Sequence, residues 1–487
     1  MRGNLSSATR GIVFLLALSA FLLLSESAFA QQTYYIDCAA GSDANNGTAK
    51  ATPWQHAPGM VGRTGSYTHV AGDRFIFKGG VTCPASFFPW TISSSGTSGS
   101  RDYYGVDQTW YSGASWARPI FDGERVTTMG QMITINGSFL TFDNFEIKNH
   151  GAAVGTIPVT LYLGGSNNIA SYIYIHAHYV SSCTADSANG FFGIALRGTN
   201  NIIDHYTKDG SDGVPAGTIG GAIGTAGGTG NTQIRYSTIH DVPNAICCGT
   251  YGDVFGNTIY NVLTSCAGTH ENAIENLSNA WRLRVYNNLI HDVRVGVVLL
   301  VCGNTDIYNN VFYHNGPSAI QIDTNCGGEA SAHAYVYNNT IEGTNYGAGI
   351  LGGVNNRSGA TLGALTIKNN HGITNAGGAM WSNMNLVTTL DSDSGTSSEP
   401  IMTLAQAAAA GYTYTETNPY SPPSGSSPTV GVALSLTSSC GSLPGQCSDK
   451  LGVARPTSGP WSAGAYEAPQ STSGKPIAPT NLTATVQ

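Results

Sequence analysis

Charge is what this sequence has least of. Asp, Glu, Lys and Arg make up 10% of 487 residues, where an ordinary soluble domain carries about 25%. The net charge is −8 and there is no basic run, so a nucleic-acid partner held by phosphate contacts is excluded. Beyond residue 30, no stretch approaches the roughly 18 apolar residues that cross a bilayer; no membrane span is expected there. Sustained 3.6-residue periodicity is also missing, which argues against a helical protein. C-x-x-C and H-x-x-x-H spacings do not occur, so a structural zinc site has no sequence support.

What remains abundant is Gly, Asn, Ser and Thr, a strand-and-turn composition. The ten cysteines (38, 83, 183, 247, 248, 266, 302, 326, 440 and 447) form an even set. In an exported chain they point to disulfides. Cys440 and Cys447 are the best local pair, whereas adjacent Cys247 and Cys248 must look elsewhere. Export itself is read from the N-terminus: Arg2 and Arg10 flank an apolar run from Ile12 to Leu24 that ends in Ala28-Phe29-Ala30. Those are the parts of a secretory signal peptide over 1–30. The expected location is therefore secreted, extracellular or periplasmic, and the expected state a monomer.

Internal repetition decides the fold class. One phrase recurs as IRYSTIHDV from Ile234, VFGNTIYNV from Val254, VYNNLIHDV from Val285, IYNNVFYHN from Ile307, VYNNTIEG from Val336 and IKNN from Ile367. A second alternates with it: FGIALRG at 192, GAIGTAG at 221, NAICCGT at 244, NAIENLS at 272, GVVLLVC at 296, SAIQIDT at 318 and GAGILGG at 347. Steps of about 20 to 32 residues suit the coils of a solenoid. Two strand-length runs per coil, stacked coil on coil, predict parallel sheets. The fold class is all-β: a single-stranded right-handed parallel β-helix with an N-terminal cap and a short C-terminal closing segment.

With these phrases, YYIDCAAGSDANNGTAKATPW (34–54), AGDRFIFKGG (71–80) and DKLGVARPTSGPWSAGAYE (449–467) give the chain its resemblance to the right-handed parallel β-helix superfamily, the pectate-lyase-like group of secreted carbohydrate-active proteins. The resemblance implies a cap and first coils over 31–130, the β-helix proper over 131–380 and closing coils over 381–470, with 471–487 as a linker-like tail. It speaks for fold and hardly for reaction, since one fold hosts many chemistries. A short helix is expected around Leu404–Ala410.

Aligning the first phrase puts Asn144, His176, His205, Ser237, Asn257, Asn288, Asn310, Asn339 and Asn370 in one column. Asn side chains so stacked can hydrogen-bond from coil to coil, which makes His176 and His205 ladder members. In the second phrase the apolar residues Ile194, Ile223, Ile246, Ile274, Val297, Ile320 and Ile350 are taken as inward. Alternation then turns the small residues before them, from Gly193 and Ala222 to Ala319, outward. They would form a shallow trough for an extended polymer.

Candidate catalytic residues beside that trough are Glu271, Glu275, Arg294 and Asp323, with His270 at the strand start. Arg197, Gln321 and Trp281 are candidate substrate contacts. Glu271 and Glu275, four residues apart on an extended strand, would lie about 13 Å apart, beyond the 5–9.5 Å or so that glycosidase carboxylates need. Glu271 would instead pair with Arg294. A third group, DHYTKDGSDG (204–213), supplies Asp204, Asp209 and Asp212 as metal ligands, with calcium the cation their oxygens suit, and Lys208 as a base. In β-helix lyases, the resemblance implies, an Asp cluster with a Lys or Arg is the usual apparatus. GSDANNGT (41–48) has a D-x-N-x-G look that Asx turns also explain.

Three readings follow. The leading one is an exported enzyme that cuts a polysaccharide lying along the helix by β-elimination next to a uronate, using Arg294 or Lys208 as base. It could instead hydrolyse the glycan with Glu271, Glu275 and Asp323. The third reading is a non-catalytic glycan-binding or structural surface protein.

Overall fold

The structure is a computed structural model. It describes residues 31–468 apart from 154–155, 157, 181–190, 215–219, 226–229, 248–251, 264–270, 277–281, 294–296, 303, 316–317, 324–331, 344–353, 356–361, 375–379, 381–386, 394–395 and 416, and apart from the side chains of ten strand residues (297, 298, 300–302, 318, 322, 323, 354 and 355). The described chain winds as a parallel solenoid with three faces. Sheet A has 13 strands from Thr33–Ile36 to Val387–Ser392; sheet B has 12 from Thr82–Cys83 to Ile401–Thr403; sheet C has 10 from Trp90–Ile92 to Val354–Asn355. One coil runs Gln131–Ile135 in sheet C, Leu140–Asp143 in A and Glu146–Lys148 in B, and the next begins at Val159. This is the predicted right-handed parallel β-helix. No helix among the described residues is long and apolar enough to cross a membrane.

Each sheet sends one column of apolar residues inward. Sheet A contributes Phe142, Ala170, Ile203, Ile234, Val254, Val285, Ile307, Val336 and Ile367 in register. Sheet C contributes Ile133, Leu161, Ile194, Ile223, Ile246, Ile274, Leu299 and Ile320. All are at most 1% exposed and belong to one core. Full burial of each aliphatic side chain contributes about 1.5–3 kcal/mol. Leu299 stands where Val297 was expected, a two-residue shift that keeps the same face.

The corner between sheets A and B carries the ladder. Asn288 N–H and Nδ2 both donate to Asn310 Oδ1 (3.0 and 2.9 Å), Asn310 likewise to Asn339, and Asn339 likewise to Asn370. The chain starts with Tyr206 N–H on Ser237 Oγ and Ser237 N–H on Asn257, and ends where Asn370 donates to Glu399 Oε1. Thus Ser237, Asn257, Asn288, Asn310, Asn339 and Asn370 stack as expected. The three earlier positions do not: Phe145, Ile173 and Tyr206 occupy the inward corner there. Asn144 and His205 sit one residue earlier, in the left-handed corner position (φ 68° and 51°). His176 lies in the strand Tyr174–His176 on the outer face of sheet B.

Among the described residues the small-residue trough is not there; Gly296 and Gly349 of that column lie outside them. Ala222, Ala245, Ala273 and Ala319 are at most 3% exposed members of the main core, and a side chain at Gly193 would strike the Tyr206 hydroxyl. The cause is a broken alternation. Ala222 and Ile223 both donate N–H to the next coil, as do Ala245 and Ile246, so two successive residues turn inward where these coils enter sheet C.

Closure follows expectation. The helix Leu404–Ala409 forms under a Thr403–Gln406 capping box, and Cys440 pairs with Cys447. A Cys38–Cys83 bridge ties down the cap. Asp43 of GSDANNGT accepts from the backbone of Gln55, His56 and Thr64 and from the His56 ring, so it organises a turn. Asn310→Ala is expected to cost about 2–4 kcal/mol, because it strands two buried donors of Asn288. Urea midpoints read this, and a cost near zero would contradict the ladder's role.

Candidate functional site

Glu271 and Glu275, two of the carboxylates picked from the sequence, stand where the chain enters sheet C at the strand Ile274–Asn276. The strand Ile274–Asn276 is short. Ile274 points into the core, Glu275 faces the other way, and both are buried, Glu275 at 4% exposed. Glu271 is 8% exposed and precedes the strand. The extended separation of about 13 Å therefore does not apply: residues 271–273 lie outside the strand, in the connection whose carbonyls take the consecutive N–H groups of Ala245 and Ile246.

Around Glu275 the outer column reads Gly224, Cys247, Glu275, Leu300, Gln321 on successive coils. Asn244 donates Nδ2 to Glu275 Oε2 (3.3 Å), and disulfide-bonded Cys247 places Sγ 3.7 Å from the same oxygen. Asn244 Oδ1 and Gln321 Nε2 are buried with no hydrogen-bond partner among the described residues. A buried polar atom left so costs about 1–3 kcal/mol. Along the sheet these amides lie on either side of Glu275, Asn244 in contact with it and Gln321 two coils away. Asp323 lies on the same sheet in register with Cys302. His270, Trp281 and Arg294 lie outside the described residues, as does the Asp323 side chain. Arg197 is exposed, just past the strand Phe192–Leu196.

The outer face of sheet B carries a second polar array that the sequence reading missed. His240, Tyr260, His291 and Tyr313 follow one another in register. Their rings stack at 4.8, 5.1 and 4.5 Å, within 9° of parallel. Each inner ring has both faces covered, so Tyr260 offers a glycan its edge and not its face. His176 sits between Asp212 (2.7 Å) and Glu146 (3.2 Å). Burial works against its charge, yet the two carboxylates outweigh it and raise its pKa. Burial also opposes ionised Asp209, but bonds from Ser211 hold its carboxyl below the ordinary range.

Neither a protein-family model nor a curated protein matches the chain. Among solved structures, it is similar to a GH136 lacto-N-biosidase from Eubacterium ramulus, with a TM-score of 0.53 at 13% identity over 77% of this chain and 68% of that one. Others are pectate lyase Pel9A (0.49, 15%, 91% and 98%) and a PL6 family polysaccharide lyase from Pseudopedobacter saltans (0.40, 13%, 73% and 94%). The likeness shows that the chain shares their right-handed parallel β-helix fold. Identities this low carry the fold and leave the reaction to the site.

Within this β-helix the loop 204–213 does not act as one cluster. Asp204 lies on sheet A and pairs with Arg235 (3.1 Å) and His205 (3.0 Å). Asp212 is engaged by His176 and by Ala177 N–H. Asp209 does meet His240 and Asp241, the three ligand atoms lying within 4.8 Å of one another. An imidazole with two carboxylates is not the all-oxygen shell calcium takes, and His240 Nδ1 already holds Asp241 at 2.6 Å. The set does not fit calcium.

Lys208 is no surface base. It fills the inward column of sheet B between Ile175 and Ile239, fully buried, with Nζ 3.4 Å from the Asp209 carbonyl. Burial pushes its pKa down to about 8, so the folded state resists a proton that the unfolded chain holds up to pH 10.5 or so. The destabilisation is full below about pH 8, near 3 kcal/mol from the size of the shift. It fades as pH rises toward 10.5. Lys208→Met should therefore raise Tm at pH 7, with the gain shrinking between pH 8 and 10.5; a lower Tm at pH 7 would refute this account.

Proposed function

We propose that this protein is an exported enzyme that cleaves an extended polysaccharide at the rim between sheets B and C, with Glu271 and Glu275 as its reacting carboxylates. One observation carries the reading: a buried carboxylate, Glu275, stands between two buried amides, Asn244 and Gln321, that have polar atoms to spare. From Asn244 to Gln321 the row crosses four coils, about 14 Å at 4.8 Å per step, a length suited to several linked sugars. Spare amide atoms are what a hydroxyl-rich chain satisfies on arrival.

Hydrolysis is the chemistry these residues support best. One carboxyl gives a proton to the leaving oxygen while the other activates water or attacks the sugar carbon. The break in the strand before Ile274 supports reading the two as a pair, since the chain from Glu271 to Glu275 is not one straight strand. The GH136 likeness, a likeness of fold, is consistent with a glycosidase on this scaffold. Disulfides at Cys38–Cys83 and Cys440–Cys447 fit the oxidising compartment that the N-terminal leader would lead to.

The second reading is elimination next to a uronate. With Lys208 in the core, its base would be Arg294. The Asp209, His240 and Asp241 group, able to hold a cation though not in the manner of calcium, is the observation in its favour.

A glycan panel of uronate, neutral and sulfated polymers separates these. Hydrolysis predicts new reducing ends without ultraviolet absorbance, unaffected by chelator. Elimination predicts absorbance, and its loss on chelation if a metal takes part. Glu271→Gln and Glu275→Gln should each lower cleavage by about 10²–10⁴-fold, the usual range for a positioned acid or base. Activity unchanged in both variants, or no cleavage of any glycan, would sink the proposal.

A further inference from the structure

A cavity of about 330 Å³ opens on a different face of the solenoid, between sheet A and the C-terminal segment, lined by Arg282, Tyr335, Tyr337, Ser438, Ser439, Ser442 and Leu443. Its walls are fixed in place. The outer wall is the loop closed by Cys440–Cys447. Leu443 of that loop packs on Tyr286, Tyr308 and Tyr337, and the Tyr308 hydroxyl donates to the Pro444 carbonyl at 2.7 Å. Asn309 Nδ2 donates to the Ser448 carbonyl at 2.8 Å. The inner wall is set by Arg282, whose Nε and Nη2 fork onto the fully buried carboxylate of Asp306.

The lining decides what fits. Arg282 is paired with Asp306, so the pocket has no surplus positive charge to hold a compact dianion such as phosphate, and a sugar would be held by hydrogen bonds and ring contacts. Three serines make it too polar for a lipid tail. Ser439 donates to the Leu436 carbonyl (2.7 Å) and Ser442 to the Ser439 carbonyl (3.0 Å), which leaves their oxygen lone pairs to accept from a guest. Arg282 Nη1 lies outside the fork onto Asp306 and can donate. Two phenol rings supply apolar surface. Acceptors, one donor and aromatic carbon in a space near the lower end of ligand pockets describe about one or two sugar units.

We propose that this pocket is a non-catalytic sugar-binding site, which holds the polymer on the sheet A face while cleavage proceeds at the rim. It rests on the reading of the protein as glycan-active, but its test does not depend on cleavage. Full-length protein is run in native gels containing polygalacturonate, alginate or a neutral xylan, with short soluble oligosaccharides as a separate cleavage assay. Ser442→Trp plugs the pocket from an exposed position, and Tyr335→Ala removes a wall. Each should weaken retardation by about fivefold or more, the usual effect of losing a well-packed contact. Cleavage of short oligosaccharides and Tm should stay as in the parent. Which gel retards the parent protein distinguishes a uronate from a neutral guest. Retardation lost in the variants of a protein that cleaves nothing supports the pocket and sinks the proposed enzyme. Unchanged retardation in both variants, no retardation of the parent in any gel, or equal loss of short-substrate cleavage overturns the pocket.

Discussion

One hydrogen-bond chain holds the coils in step: the Asn ladder at the corner of sheets A and B. A tight corner inside a solenoid buries backbone N–H groups that no strand partner reaches, and buried donors must be met. Each ladder Asn meets them for the coil before it. From Asn288 onward its Oδ1 accepts that coil's N–H and Nδ2–H, and its Nδ2 donates back to a strand carbonyl, as from Asn310 to Val285 and from Asn339 to Ile307. Such a chain needs an end that only accepts, and Glu399 supplies it. With the corner locked, sheets A and B cannot slip. Glu271 and Glu275, the carboxylates proposed to react, stand away from this corner, where the chain enters sheet C.

The doubled Asn in the repeat has two different tasks. The second residue points in and builds the ladder. The first takes a left-handed backbone, as at Asn287, Asn309, Asn338 and Asn369 (φ 50–62°), and its side chain or carbonyl points out. There the C-terminal segment fastens: Asn309 to Gly445 and Ser448, Asn338 to Ser462, Asn369 to Leu434, with Lys450 on the Asn287 carbonyl and Arg455 on Asn309. The closing segment is thus held by the same dipeptides that stack the coils, and the sheet A pocket forms where it leaves the surface.

Much of this was legible because the repeat is strict after Ser237. The column broke down earlier for a physical reason. Phe145, Ile173 and Tyr206 replace Asn at the corner, where an aromatic-rich cap core can fill the space, so the nearest polar residues were mistaken for ladder members. Lys208 was readable in principle: aligning Thr207-Lys208-Asp209 with Thr238-Ile239-His240 puts it in the Ile column, but a lysine inside a strand invites an outward assignment. The small-residue column failed because period-2 alternation does not survive two consecutive N–H groups donating to one neighbour. The His–Tyr stack went unseen because its members alternate in type, and only register brings them together.

The same break in alternation bears on function. Where Ala273 and Ile274 both turn inward, Glu271 and Glu275 leave the straight line that would hold them apart, and the backbone can direct both carboxylates to one rim. A regular strand could not do so without a long loop. The small residues that looked like the floor of a groove are the first of the two inward positions and pack in the core. Asn244 and Gln321 remain incompletely satisfied beside a ladder in which every amide is used. That contrast, within one molecule, is the physical basis for proposing that Asn244 and Gln321 meet a substrate while the ladder amides hold the fold.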